Sequence, residues 1–410
     1  MPLGSSEADF LFKKMYPYGI DEDALERDNP LMRWSQHETD FTTHKGIEIA
    51  VPYLNPQGIG ATNADANTAE APSAGVSFTV PQRHVTALGR INGEVVRNAI
   101  NGGDASQFAD ALEREVDGTT ESLGSEINQR MYGQSDGVRS FLSSTTTVNT
   151  TVVTLASPEE AQLYEPKMRL QAVNPADGSL RSAGAFAVVD KVDPIAGTLT
   201  FTAAANVAIA AIAAGDGLVR WSMNTKDLDG LKGWIPATVS GADSFLGVNR
   251  SVYRTRLAGV YQDVSSMSIR TGLIKVRGVA KAQVGNKFKS KSPFFINPRD
   301  LTALMQTIEA SRIIEGAVES RVGVGIETIE IFGRKFIEDP HCPVGETFQI
   351  GERGFTRGSC GKQPQIDDQD GNKFWYNRAT GFLEFVLAHD GNSYSREPHT
   401  NLRAKLGAAA

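Results

Sequence analysis

Residues 45–91 read KGIEIAVPYLNPQGIGATNADANTAEAPSAGVSFTVPQRHVTALGRI. Apolar and polar residues alternate, as they do in β-strands, in residues 45–53, 76–80 and 89–91. Residues 54–75 lie between these runs and consist mainly of Gly, Ala, Asn, Thr and Pro, which offer little for a core to bury. We therefore predict a hairpin whose tip has no core of its own and whose surface is completed by a neighbouring copy of the chain.

A long amphipathic helix is predicted over residues 104–132. Asp104 is a favourable N-cap, and Gly133 supplies a stop. Apolar residues recur every four residues, with one interval of seven, and so form a stripe along the helix: Phe108, Leu112, Val116, Leu123, Ile127 and Met131. Gly118 and Gly124 each cost about 1 kcal/mol relative to Ala inside a helix, so we expect a bend or a close backbone contact there.

Length and composition predict a globular protein with two or three domains. The 410 residues carry a net charge of −7, so no overall basic field would attract nucleic acid. No apolar run approaches the ~18 residues of a membrane span, and the first residues, MPLGSSEAD, lack the pattern of a secretory signal. Two cysteines, Cys342 and Cys360, are too few for a disulfide framework or a closed zinc site. These features predict a chain that folds in a reducing cytosol.

Charge is distributed unevenly along the chain. Residues 1–40 hold nine Asp or Glu against four Lys or Arg, and scattered aromatic residues follow no period. This pattern predicts an extended arm over residues 1–44 that docks on another surface, with a short helix around 22–27. A later basic stretch is interpreted as the solvent face of strands, with a nucleic-acid or pore-lining role as the alternative. Its members are Arg270, Lys275, Arg277, Lys281, Lys287, Lys289 and Lys291.

Residues 145–222 predict a small β-barrel inserted between larger elements. Five short strand-like runs are separated by turn signals such as Asn174–Gly178 and Asp193–Gly197. From residue 223 onward helices and strands mix, and Asn297 followed by Pro298 predicts a helix start. Late strands are expected at 326–337, 347–350, 373–377 and 382–388.

Several fragments imitate chemical motifs without completing them. Asp367–Gly371 resembles a calcium loop but lacks its bidentate Glu, which favours a hairpin turn. Gly323–Gly325 lacks the third glycine of a dinucleotide fingerprint. Cys360 has no recognisable base, and His341 with Cys342 supplies two metal ligands where three or four are needed. We therefore predict no enzyme, with no catalytic, cofactor-binding or metal-binding residues and no cofactor.

The order of arm, hairpin and long helix resembles that of tailed-bacteriophage major capsid proteins of the HK97 fold. Residues 331–348, IFGRKFIEDPHCPVGETF, look like that family's segment before a late β-hairpin. Residues 380–389, TGFLEFVLAH, look like its last long strand, and residues 401–406 look like the segment near its terminus. The likeness covers nearly the whole chain except residues 145–222.

The resemblance implies an α+β capsid protein located in the virion head and assembled in the host cytoplasm. Hexamers and pentamers of it would enclose double-stranded DNA without sequence-specific binding and without a membrane. Implied partners are further copies, a portal and a decoration protein. The implied segments are the N-terminal arm 1–44, the E-loop 45–90, the P-domain with its spine helix 91–144, the inserted β-barrel domain 145–222, the A-domain 223–325, the return strands of the P-domain 326–390 and the C-terminal segment of the A-domain 391–410.

Two departures from that family sharpen the expectation. Some members join subunits through an E-loop lysine, yet residues 54–75 contain none and Lys45 lies only at the base. We therefore predict no such covalent cross-link. The arm starts at Met1 without a long scaffolding extension, so a separate scaffolding protein is expected. The alternatives are an encapsulin-like cellular compartment and a β-rich phage tail or adhesion protein.

Overall fold

The structure is a computed structural model. It describes residues 25–39, 41, 46–94, 105–241, 243–285, 292–312, 328–331, 334–351, 354–367 and 373–407. The residues outside these ranges include the arm residues 1–24 and 42–44, Lys45 at the base of the hairpin, the predicted cap Asp104, Lys287 to Lys291, Gly323–Gly325, and residues 368–371 of the calcium-like fragment.

The described helices are numbered in chain order. They are α1 Pro30–Trp34, α2 Asn63–Thr68, α3 Ala105–Met131, α4 Ala205–Ala208, α5 Leu231–Trp234, α6 Arg254–Leu257, α7 Ile269–Val284 and α8 Pro298–Arg312. Short 3-10 helices occur at Pro158–Leu163, Arg250–Tyr253 and Pro398–Thr400.

The described strands are numbered in the same way. They are β1 Gln36–Glu38, β2 Ile47–Leu54, β3 Ala74–Val80, β4 Arg83–Asn92, β5 Val138–Phe141, β6 Val152–Thr154, β7 Arg169–Val173, β8 Ala187–Asp193, β9 Thr198–Phe201, β10 Gly217–Arg220, β11 Val260–Asp263, β12 Phe294–Ile296, β13 Thr328–Ile331, β14 Arg334–Glu338, β15 Glu346–Gln349, β16 Thr356–Ser359, β17 Gln365–Ile366, β18 Trp375–Asn377, β19 Phe382–Tyr394 and β20 Leu402–Lys405.

The chain forms two compact units. The first comprises residues 1–47, 81–129 and 357–392, and the second comprises residues 48–80, 130–356 and 393–410. The first unit contains a sheet in the order β1-β16-β19-β17, with β4 and β18 also paired to β19. Ten residues of β4 pair antiparallel with ten of β19, so these two strands form the longest ladder of that sheet.

Helix α3 has the predicted extent and the predicted buried stripe. Leu112, Val116, Leu123 and Ile127 are all at most 2% exposed. A Cβ added at Gly124 would lie 2.8 Å from the side-chain nitrogen of Asn29, which confirms the predicted close contact. A Cβ added at Gly118 would meet nothing within 4 Å. Close packing therefore explains the glycine at position 124 but not the one at position 118.

The described part of the arm packs on its own chain. Leu31, Met32 and Phe41 are at most 1% exposed, and the Met32 amide donates to Asn128 Oδ1 on α3 at 3.3 Å. The expectation that the arm docks elsewhere is therefore wrong for residues 25–41, because its apolar side chains enter a core built with the spine helix.

The second unit contains a six-stranded sheet in the order β11-β20-β15-β12-β14-β13. Helices α7 and α8 contribute Ile269, Val276, Leu301 and Leu304 to the core that this sheet covers. The predicted helix start is confirmed, since Asn297 Oδ1 accepts from the Arg299 amide at 3.1 Å. The interpretation of the basic stretch as strands is wrong for its described part, which forms α7.

A separate six-stranded sheet runs from β5 to β10. Its order is β5-β10-β7-β8-β9-β6, and each strand pairs antiparallel with its neighbours. A bridge between Leu142 and Leu155 joins the ends of β5 and β6, with hydrogen bonds from the amides of Ser143 to Thr154 O and of Ala156 to Phe141 O. The two outer strands therefore meet, and the sheet closes around its own apolar core. That core includes Val153, Leu170, Ala187, Val189, Leu199, Phe201 and Leu218.

Candidate assembly surfaces

The tip of the hairpin formed by β2 and β3 is almost wholly exposed. Of residues 55–75, only Ala66, Ala71 and Ala74 are partly covered, and Ile59 is 81% exposed. The tip is nevertheless ordered locally: helix α2 is capped by Thr62, and the Gln57 amide donates to Ala71 O at 3.1 Å. Local hydrogen bonds thus shape a segment that buries almost no apolar surface within its own chain.

The base of the hairpin is fixed by an aromatic cluster. The Phe78 ring lies 5.2 Å from the Trp234 ring and 6.5 Å from the Phe245 ring, measured between centroids. Phe78 and Trp234 are both fully buried, and the Thr79 amide donates to Leu246 O at 3.1 Å. Sequence reasoning missed this anchor, although the alternation of residues 76–80 places Phe78 on the buried face.

The closed sheet of residues 138–220 presents a second exposed feature. The Arg169 guanidinium lies 4.8 Å from the Phe186 ring centroid and 5.8 Å from that of Trp221, and the two rings are 5.9 Å apart. Trp221 is 43% exposed. Such cation–π contacts contribute about 0.5–1 kcal/mol each at exposed sites. They hold these side chains in place on the outer surface of the sheet.

Charged side chains form ion pairs beside the mixed sheet and between it and the closed sheet. Arg403 binds Glu346 through two hydrogen bonds of 2.6 and 3.1 Å, and Lys232 Nζ lies 3.5 Å from the same carboxylate. Burial tends to raise the pKa of Glu346, but Lys232 and Arg403 outweigh it and hold the pKa below its usual value. On the 3-10 helix of the closed sheet, Glu159 forms an ion pair of 2.9 Å with Arg299 at the start of α8.

Glu160 lies beside this charged group with a shifted pKa. Burial raises its pKa to about 7; Glu346 and Glu159 act in the same direction, and Lys232 opposes them. A pKa near 7 places the charge change of this carboxyl group close to neutral pH, beside the ion pairs that lie between the closed sheet and the mixed sheet. Nothing in the sequence around residue 160 signals this, because the neighbours that cause the shift come from distant parts of the chain.

One Ser–His pair has the distance of a catalytic couple but the wrong hydrogen-bond direction. His37 Nε2 lies 2.6 Å from Ser359 Oγ, whose proton is donated to Gly361 O at 2.8 Å. The ring nitrogen must therefore donate to the hydroxyl and cannot accept its proton. Burial and the Arg357 charge also lower the pKa of His37 to about 4. Ser359 is fully buried, so the pair joins β1 to β16.

The cysteines and the suspected metal ligands do not assemble into a site. Cys342 and Cys360 are free thiols, and burial, together with Asp339, raises the pKa of Cys342 well above its usual value, so that thiol stays protonated. Among the residues that the structure describes, no group of three or more His, Cys, Asp or Glu side chains could hold a metal ion. The fragment Asp367–Gly371 is described only at its first residue.

Comparison with known structures places this arrangement in a known fold. The chain aligns with the cyanophage A-1(L) capsid asymmetric unit over 93% of both chains, at 12% identity and a TM-score of 0.51. The chain has the fold of a phage capsid protein. Two further alignments have TM-scores of 0.44: the capsid of a native GTA particle, at 9% identity over 95% of this chain and 92% of that one, and Gordonia phage Cozz, at 10% identity over 93% and 87%.

Sequence comparison alone does not reach this capsid fold. No family model matches the chain, and no curated protein is similar to it at a significant level. The mixed helices and strands of the phage capsid fold fit the HK97-like architecture predicted from the order of elements. Within the described ranges, none of the helices has the length and apolar character needed to cross a membrane.

Proposed function

We propose that this chain is the major coat protein of a tailed bacteriophage, and that its hexamers and pentamers form the icosahedral head shell around double-stranded DNA. The capsid fold over 93% of the chain carries this proposal. The exposed tip supports it. This segment buries little apolar surface within its own chain, and a hairpin that lies across a neighbouring subunit would bury that surface there. Many weak contacts of this kind become strong in a closed shell, since each docked subunit raises the effective concentration of the next.

The proposed layout follows the segments inferred from the sequence. Residues 45–90 serve as the E-loop, residues 223–325 with 391–410 as the A-domain, and residues 145–222 as an inserted domain on the outer surface. The separate apolar core of the closed sheet supports the last assignment, although its first strand begins at Val138, ahead of the proposed boundary.

Contacts between neighbouring hairpins are proposed to be non-covalent. Residues 54–75 contain no lysine to attack a carboxamide or carboxyl group of a neighbour. Intact particles should therefore give a single band near the chain mass of 44.1 kDa in denaturing electrophoresis. A ladder of multiples of that mass would reject this part of the proposal.

A separate scaffolding protein, a portal and a decoration protein are the proposed partners, with assembly in the host cytoplasm and no enzymatic role. Electron microscopy of the purified chain in negative stain tests the central claim. Closed shells are expected, whereas tubes or compact oligomers would contradict it. Nuclease-resistant double-stranded DNA in particles from lysed host cells would distinguish a virus head from a cellular compartment, which would hold protein cargo instead.

A further inference from the structure

One segment of this acidic chain contains no acidic residue. Residues 264–299 hold eight Lys or Arg and no Asp or Glu, while the other 374 residues hold 48 acidic and 33 basic residues. Helix α7 lies within this segment and carries four of the eight cations. The segment is therefore locally positive, while the other residues of the chain together carry a net negative charge.

The two faces of α7 differ sharply in chemistry. Its inner face buries Ile269, Leu273, Val276 and Ala280 in the core of the mixed sheet. Its outer face carries the cations, among which Lys275, Arg277 and Lys281 are exposed. Arg270, Arg277 and Lys281 follow one another at spacings of seven and four, so they lie along a single stripe about 16 Å long, and Lys275 lies on the other edge of the exposed face.

We propose that the exposed face of α7 points into the shell and binds the phosphate backbone of the enclosed DNA without reading its sequence. This inference rests on the proposed function, because it requires a shell filled with DNA. Lys and Arg neutralise phosphates and release condensed counterions, which gives affinity that is independent of sequence. Because the residues outside 264–299 carry a net negative charge, they would add little to this contact.

Double-stranded DNA fits this face better than another candidate polyanion, the acidic residues 1–24 of a neighbouring copy. That segment contains Phe10, Phe12 and Tyr16, and such a peptide would dock through apolar pockets as well as charge. The outer face of α7 offers one large apolar side chain, Ile274, which is 51% exposed. A face made of cations and small residues is suited to a uniform phosphate backbone.

Binding of the full-length chain to a duplex of mixed sequence, measured over a series of salt concentrations, tests the inference. The double variant Lys275→Gln/Lys281→Gln should lower the slope of log affinity against log salt by about 2, since each phosphate contact contributes about 1. The control Lys191→Gln/Lys226→Gln removes two exposed lysines of equal charge outside α7 and should leave the slope unchanged. An unchanged slope in the α7 variant, or an equal loss in the control, would overturn the inference.

Two further readouts separate the remaining possibilities. In DNA-filled shells, formaldehyde should cross-link DNA to the peptide containing Lys275 and not to that containing Lys191. The reverse pattern would place α7 outside the shell and reject the inference.

A synthetic peptide of residues 1–24 that binds the wild type but not the α7 variant would identify the acidic arm as the occupant instead. Shell formation by the wild type is scored independently, so absent shells would reject the proposed function, while an unchanged slope would reject only the role of α7.

Discussion

The hairpin tip and the closed sheet are both surface segments of the second unit, yet they are stabilised in opposite ways. Residues 55–75 bury no side chain fully, whereas residues 138–220 enclose a core that includes Val153, Leu199 and Phe201. The closed sheet therefore contains the interactions that hold it. The tip has local hydrogen bonds and lacks the apolar burial that dominates stability.

This difference predicts where mutations act. Substitutions in the core of the closed sheet should change the free energy of unfolding of the unassembled chain. Changes in the tip should leave that quantity almost untouched and act on assembly.

Phe201→Ala should destabilise the closed sheet by about 3–5 kcal/mol, because it removes a large side chain from a packed core and leaves a cavity. Phe201 is 2% exposed and packs in the core that β9 shares with β8. Hydrogen exchange of the amides of β8 and β9 should accelerate accordingly, as measured by mass spectrometry. Val207→Ala, at a site 75% exposed, is the control and should leave exchange unchanged. If the amides of β8 and β9 exchanged as slowly in the Phe201 variant as in the wild type, this core would not be what stabilises the sheet.

Glu160 should make the free energy of unfolding depend on pH where the closed sheet meets the mixed sheet. Its native pKa of about 7 lies above the ordinary 4.5, so the folded chain retains a proton that the unfolded chain loses in this window. The stabilising contribution is full below pH 4.5 and is lost as pH rises through 7, a decrease of roughly 2–3 kcal/mol.

Glu160→Gln should remove that decrease, and chemical denaturation at several pH values measures it. Glu165→Gln on the same segment, at an exposed site, is the matched control. A pH dependence that persists in the Glu160 variant would assign it to other groups.

Phe78→Leu should loosen the base of the hairpin by about 1–3 kcal/mol, since it removes two aromatic contacts worth about 0.5–1.5 kcal/mol each. Exchange of amides in β3 should rise while that of the closed sheet stays constant. Tyr53→Leu replaces an aromatic residue on the facing strand, where the ring is only partly buried and lies 6.3 Å from Tyr253. It should have a smaller effect, and an equal one would mean that Phe78 is not the main anchor.

Replacement of residues 58–70 by Gly-Gly should change the unfolding free energy by less than about 0.5 kcal/mol, as is usual for surface changes. The hydrogen bond from the Gln57 amide to Ala71 O marks where a two-residue turn can close the hairpin. Shells should nevertheless disappear from electron micrographs. Ile195→Gly, in an exposed turn of the closed sheet, should leave shells intact. Normal shells from the shortened hairpin would show that the tip makes no necessary contact.

The elements predicted correctly from the sequence are those marked by residues that lie close together in the chain. The spine helix has a repeating apolar stripe, Asn297 and Pro298 mark a helix start, and turn signals at 174–178 and 193–197 separate strands of the closed sheet. In each case the deciding residues are close together in the chain. The tip, likewise, was recognised from its composition alone.

The wrong or missing predictions concern contacts between residues far apart in the chain, or a segment whose apolar pattern fits both the two-residue period of a strand and the 3.6-residue period of a helix. In α7 the alternation of Lys275 and Arg277 with apolar residues suggested a strand, although Ile269, Leu273, Val276 and Ala280 follow helical spacing. The missed anchor depends on Trp234, which lies more than 150 residues from Phe78. No local pattern can show such a pairing. The same holds for Glu160, whose shifted pKa comes from residues on other elements.

The first and last strands of the closed sheet, β5 and β10, pair with each other. This pairing bears on whether the closed sheet can be replaced by another domain. Val138 of β5 pairs with Val219 of β10, and beyond them a Cβ at Gly137 would lie 2.9 Å from Met223 O. The chain thus leaves the rest of the unit and returns to it at nearly one point. A segment with adjacent ends can be exchanged as a cassette, because a graft needs only to match one short gap. If this domain lies on the outer surface of the shell as proposed, a library of foreign domains joined at Gly137 and Met223 would make that surface a display platform.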